Sequence, residues 1–281
     1  MDYRRIYIFI DGYSQGVSEL HEEVINIANK YSKIKNVFVR VEDYNIGAQA
    51  AVLEAVTWAL GLEDNVIVLE DDSTLNENSL RYFDRNQYLL ENGSIKILSG
   101  RSINGLSTLI DNSKQKLFVA SFPLTNGWSV NRDSWKLLTV TAKRMEILGA
   151  IFRLIYKQIY TFNVFCFFAA GYYRFRNKIG KTGWDSMIAF NFIIFNYKCI
   201  IPSVNVIGNN GCDNVASNTT YQNEEIKEDF IELGNFNDNF ILMRDRDLEK
   251  KVDSLITKEI YEVKKYHILS PLKAIIEKIA F

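Results

Sequence analysis

The chain has 281 residues, 47% of them hydrophobic and 24% charged, with 33 Lys and Arg against 34 Asp and Glu for a formal net charge of -1. That is ordinary globular composition, long enough for one large domain or two small ones. The balanced charge argues against nucleic acid as a partner. Cys166, Cys199 and Cys212 show no C-x-x-C spacing, which argues against a disulfide framework or a zinc site of the usual pattern and fits a reducing compartment.

In chain order, the opening MDYRRIYIFIDG has too short an apolar run for a secretory signal, so a cytoplasmic protein is expected. Apolar runs at Ile6 to Ile10, Val37 to Val41, Val66 to Leu69, Ile95 to Leu98 and Leu117 to Phe122 are brief and rich in Val, Ile and Phe, which predicts strands. Between the first two, Val17, Leu20, Val24, Ile27, Ala28 and Tyr31 recur at three and four residues; between the next two, Val52, Ala55, Val56, Ala59 and Leu60 do the same. Both spacings predict helices with one apolar face. Strands alternating with helices predict right-handed βαβ units and a parallel sheet covered on both faces, a reading supported by the uninterrupted apolar run VIVL.

Beyond residue 125 the segments become aromatic and amphipathic, with a helix expected from about Trp184 to Asn196 leading to a short strand. Residues 208 to 223 are rich in Gly, Asn, Ser and Thr and predict a loop. A charged, helical, peripheral tail is expected from 223 to 281, after a main domain over 1 to 222. The apolar stretch 147 to 173 carries Arg153 and Lys157, and only sixteen residues lie between Lys157 and Arg174, whereas a spanning helix needs about 20. A core helix with solvated ends is the first reading. With Arg176, Lys178 and Lys181 nearby, and with SPLKAIIEKIAF at the end of the chain, peripheral contact with an anionic membrane is the second.

The most demanding local feature is VIVLEDD, where an apolar strand runs directly into Glu70, Asp71 and Asp72. Adjacent like charges repel, which favours a shared proton or a neutralising cation. In an open α/β sheet the site lies outside the carboxyl ends of the strands, where this triplet falls, as does Asp11 after IYIFI. Carboxylate oxygens suit Mg2+ or Mn2+, which bind through one or two protein carboxylates plus the phosphate oxygens of a substrate. A solvated turn is the plain alternative.

The ordered set IYIFIDG, RVEDYNIGAQAAVLEAVTWAL, VIVLEDD, ILSG, NGWSVNRDSW, GWDSMIAFNF and IPSVNVIGNNG, over roughly residues 6 to 212, resembles glycosyltransferases of the GT-A fold, of the family 2 and N-acetylglucosaminyltransferase I types. The resemblance implies an α/β fold with a mostly parallel central sheet, a Rossmann-like nucleotide-binding half and an acceptor-side cover. It implies a metal-dependent, inverting transfer of a hexosyl or N-acetylhexosaminyl group from a nucleotide-diphosphate sugar to a glycan or lipid-linked acceptor, with Mn2+ or Mg2+ as cofactor. Bacterial surface polysaccharide synthesis, at the inner face of the cell membrane, is the setting it suggests.

By position, the resemblance implies that Asp72 binds the metal, that Glu70 and Asp71 contact ribose or groups around the metal, and that Asp11 hydrogen-bonds the nucleotide. Asp185, after Trp184, matches the catalytic base. Trp128 matches the segment under the donor sugar, with a core aromatic as the alternative. Asn45 and Gly47 match the turn that opens the nucleotide-side helix, where a plain helix cap is the alternative. Asn209 and Asn210 match the closing loop near the diphosphate, with ordinary turn residues as the alternative. His21 and His267 have no partner set that suggests a metal site or a triad. Relative to the family a first βα unit of roughly thirty residues is expected to be missing. That leaves a catalytically inactive, sugar-binding remnant as the second hypothesis and a metal-dependent phosphohydrolase as the third.

Overall fold

The computed structural model describes residues 4–13, 18–91, 93–109, 115–140, 143, 145–149, 169, 171–173, 184–209, 234, 236 and 239–260. The expectations for Val17, for most of 147 to 173, for Asn210, for His267 and for SPLKAIIEKIAF lie outside these residues. Among the described residues no helix is long and apolar enough to cross a membrane.

The elements are β1 (Ile6–Ile10), α1 (Ser18–Tyr31), β2 (Val37–Val41), α2 (Ala48–Leu62), β3 (Asn65–Val68), β4 (Ser73–Thr74), α3 (Glu77–Asn86), β5 (Ile95–Ser99), β6 (Lys116–Ala120), β7 (Trp128–Asn131) and α4 (Arg132–Leu138). After these come α5 (Trp184–Phe195), β8 (Lys198–Pro202), β9 (Gly208–Asn209), β10 (Ile241–Met243) and α6 (Arg246–Ile260). The architecture is α/β, as expected, but its central sheet is mixed. It has six strands in the order β10-β6-β8-β5-β7-β3. The pairs β3/β7, β7/β5 and β8/β6 are antiparallel; β5/β8 and β6/β10 are parallel.

The expectation of a mostly parallel sheet is therefore corrected. Uninterrupted apolar strands report burial on both faces, and this sheet achieves that whatever its strand directions. Phe118, Cys199 and Ile201 enter one core cluster with Val56, Leu60, Trp128 and Phe190, while their chain neighbours Leu117 and Ile200 enter another with Tyr82 and Phe83. Successive side chains point to opposite faces, so helices on both sides of the sheet demand apolar residues at every position.

The first βα unit is built differently. β1 and β2 pair in parallel as a separate two-stranded sheet. α2 packs on both β1 and β3, and Glu63, just ahead of β3, accepts hydrogen bonds from Tyr7 Oη (2.6 Å) and Arg5 Nη1 (2.8 Å). This ribbon is too narrow to cover α1. Of the predicted apolar face only Ala28 is buried, while Leu20, Val24, Ile27 and Tyr31 are exposed. β3 is only partly buried and sits at the edge of its sheet, so VIVL is not a fully buried strand.

Residues 241 to 260 do not form a peripheral tail either. β10 pairs with β6, and α6 buries Val252 and Ile256 completely in the main core. Ser121 N–H donates to Asp253 Oδ1 (2.7 Å), and Lys198 forms an ion pair with Glu249, which ties α6 to β6 and β8.

Candidate functional site

β3 ends at Val68, and the chain turns at once. Ser73 N–H donates to the Glu70 carbonyl (3.0 Å), and Glu70 N–H donates to Ser73 Oγ (3.1 Å). These two bonds close a four-residue turn that holds Glu70, Asp71 and Asp72 together. Sequence reasoning passed over Ser73, although a serine after three acids at the end of a strand is itself a turn signal. β4 then pairs antiparallel with β9, Ser73 opposite Asn209. That register lets Asn209 Nδ2 donate to Asp72 Oδ2 (3.1 Å). A capping box follows: Asn76 accepts from Ser79 N–H (3.0 Å) while Ser79 Oγ accepts from Asn76 N–H (3.0 Å), so α3 starts at a fixed place.

The second wall comes from far along the chain. Val68 pairs with Trp128 in the β3/β7 ladder, and the Trp128 and Trp184 rings stack at 5.5 Å with planes 21° apart. Stacking fixes the first residue of α5, and the next residue is Asp185. Its Oδ1 accepts from Ser186 N–H (2.7 Å), and its place in the first helical turn suits a negative charge.

Electrostatics links the two walls. Burial pushes the Glu70 carboxyl up to about 7, and the charges of Asp72, Asp71 and Asp185 add to the effect. Burial also raises Asp185. Both residues keep exposed surface. Asp185 is thus near enough to the acidic turn for its charge to act on Glu70, and Asn209 is tied to the turn through Asp72.

The remaining candidates lie differently. Trp128 is fully buried and also meets Trp135 at 6.0 Å. Its ring lies against Trp184, and its indole N–H has no hydrogen-bond partner among the described residues. Asp11 belongs to a clasp at the end of β1: Oδ1 accepts from the N–H groups of Gly12 (2.8 Å) and Ile46 (2.8 Å), Oδ2 accepts from Gly47 N–H (2.9 Å), and Asn45 Nδ2 donates to the Gly12 carbonyl (3.1 Å). Gly12 is required there, since a Cβ would lie 2.1 Å from the Tyr44 carbonyl carbon. Gly47, at φ 84°, caps α2 without a side chain of its own. The Asp11 carboxylate occupies the amide groups that an anionic ligand would need, which accounts for Asp11, Asn45 and Gly47 as parts of a helix start.

The donors fit a hard divalent cation in kind: all are carboxylate oxygens, and a cation would relieve the repulsion that raises Glu70. Among the described residues no group of three or more His, Cys, Asp or Glu is arranged to hold a metal ion; Mg2+ bound with a substrate phosphate usually takes one or two protein carboxylates. No protein-family model matches the chain, and no curated protein matches it.

Proposed function

We propose that this protein is a metal-dependent, inverting glycosyltransferase of the GT-A type that uses a nucleotide-diphosphate sugar. The observation that carries the reading is the Trp128–Trp184 stack: Trp128 pairs with Val68 at the end of β3, just ahead of the acidic turn, and Trp184 immediately precedes Asp185, whose charge also acts on Glu70. In this reading Asp72 holds Mn2+ or Mg2+, with Glu70 and Asp71 beside it. The ion, when bound, neutralises the charge of the departing diphosphate.

The chain's own residues do the rest. Asp185 Oδ1 is engaged by Ser186 N–H, so Oδ2 takes the proton of the acceptor hydroxyl as that oxygen attacks the anomeric carbon. Burial raises its affinity for protons, which makes it a better base. The nucleotide diphosphate leaves from the opposite face of the sugar, which inverts the anomeric centre. Asn209 orients Asp72 through its amide. The proposed setting is surface polysaccharide synthesis in a bacterium, at the cytoplasmic face of the membrane, with a glycan or a lipid-linked acceptor.

A second reading, a non-catalytic sugar-binding remnant, is favoured by the separation of β1 and β2 from the main sheet and by the closed clasp around Asp11. Manganese-dependent turnover of a panel of UDP-sugars separates the two. The enzyme reading predicts turnover that Asp185→Asn lowers by about 10²-fold or more, the ordinary contribution of a general base, while donor binding persists. Donor binding without turnover of any donor supports the remnant.

A further inference from the structure

We propose that α1 is a self-association helix, pairing antiparallel with α1 of a second copy of this chain. Leu20, Val24, Ile27 and Tyr31 leave 64%, 49%, 46% and 54% of their surface exposed, and Ile34 in the turn after the helix leaves 54%. Their spacing of four, three, four and three residues is the seam of a two-helix coiled coil. His21, Ile25 and Ala28, which flank the stripe along one side of α1, are half-buried or buried against the fold, while the stripe residues themselves stay exposed. Isolated exposed apolar residues are common, but four in heptad register along one helix, followed by Ile34 in the next turn, make a row of the kind that marks an interface.

The charges select the occupant and its direction. Glu19, Glu22 and Glu23 stand at the start of the helix; Lys30, Lys33 and Lys35 stand at its end and just beyond it. All six are exposed, and none forms an ion pair with another described residue. A parallel pair would set glutamates beside glutamates and lysines beside lysines. An antiparallel pair about a two-fold axis between Val24 and Ile27 sets Val24 against Ile27 of the partner subunit and Leu20 against Tyr31 of the partner subunit. Glu23, flanking the seam, then faces Lys30 of the partner subunit, and symmetry repeats that contact. The same surface thus complements itself in apolar pattern and in charge, as an isologous interface requires. The stripe is short of a standard interface of about 1,600 Å2, so the dimer is concentration-dependent.

Sedimentation velocity on the full chain, from about 5 to 200 µM, brackets the affinity expected of such a contact. The proposal predicts a monomer–dimer equilibrium for the wild type and a monomer throughout for Ile27→Glu, whose surface site leaves the helical circular dichroism unchanged. Glu23→Lys and Lys30→Glu each weaken association about fivefold or more, and together they restore it to within about twofold of wild type. A wild type that stays monomeric, an Ile27→Glu variant that still dimerises, or a double reversal no better than the single ones would each overturn the proposal.

Discussion

β5, IKILS, and β2, VFVRV, are five-residue strands of similar aliphatic character, yet β5 is buried along its whole length while β2 exposes Phe38 and Val41. The difference lies in their neighbours. β5 has a strand on each side and packs against α4; β2 has β1 on one edge and packs mainly against α1. A two-stranded ribbon gains little from its own pairing, so the β1/β2 unit depends on α2, the Glu63 contacts and the Asp11 clasp for its position. The acidic turn and Asp185 belong wholly to the other region, at β3, β9 and α5, where Trp128 is fully buried.

Four substitutions or titrations probe this contrast. Trp128→Ala, which removes the ring stacked on Trp184, is expected to cost about 3–5 kcal/mol in urea unfolding, whereas Phe38→Ala on the ribbon costs about 1 kcal/mol or less; equal losses would erase the distinction between the two regions. Asp11→Ala, which leaves three backbone N–H groups without their acceptor, is expected to cost about 1–3 kcal/mol and to raise amide exchange at Ile46 and Gly47 while the acidic turn stays protected. Asn209→Ala removes one hydrogen bond to Asp72 and is expected to cost about 1 kcal/mol, with exchange rising at the β4/β9 pair and not at the clasp.

The smallest effect is the pH dependence of the metal-free protein. Glu70 has a folded-state pKa pushed up to about 7, above the value of roughly 4.3 for an unfolded Glu. Its contribution to stability is therefore fully present below about pH 4 and is lost as pH rises through about 7. Asp185, also raised, acts in the same direction. Thermal midpoints measured from pH 5 to 8 should fall, and Glu70→Gln should flatten the slope. A wild-type slope unchanged by that substitution would mean that the neighbouring acids do not act on Glu70.

Much of the local structure was legible because it rests on local chemistry. IYIFI and VFVRV begin and end where their apolar runs do, and the helix read from Trp184 stops at Asn196, which adopts a positive φ of 56° and closes it in the manner of a C-terminal cap. Strand direction was not legible. The short run WSVN inserts antiparallel between β3 and β5, and two-sided burial writes the same apolar pattern into parallel and antiparallel strands. The outward stripe of α1 was hidden for a related reason: three-and-four spacing marks a face and does not say what covers it. At the site, the acidic turn and Asp185 were visible as residue types after a strand and at a helix start. The Trp128–Trp184 stack that brings them together spans a sequence separation no local pattern encodes. Asp11 and Gly47 looked like ligand groups because a carboxylate and a glycine at a strand exit serve a backbone clasp and a nucleotide equally well.

Calorimetry with a nucleotide-diphosphate sugar, with and without Mn2+, on the wild type and on Asp72→Ala is the most direct test of the acidic turn. The account predicts binding that requires the metal and disappears with the substitution. Binding of equal strength by both proteins, or binding indifferent to Mn2+, would contradict it.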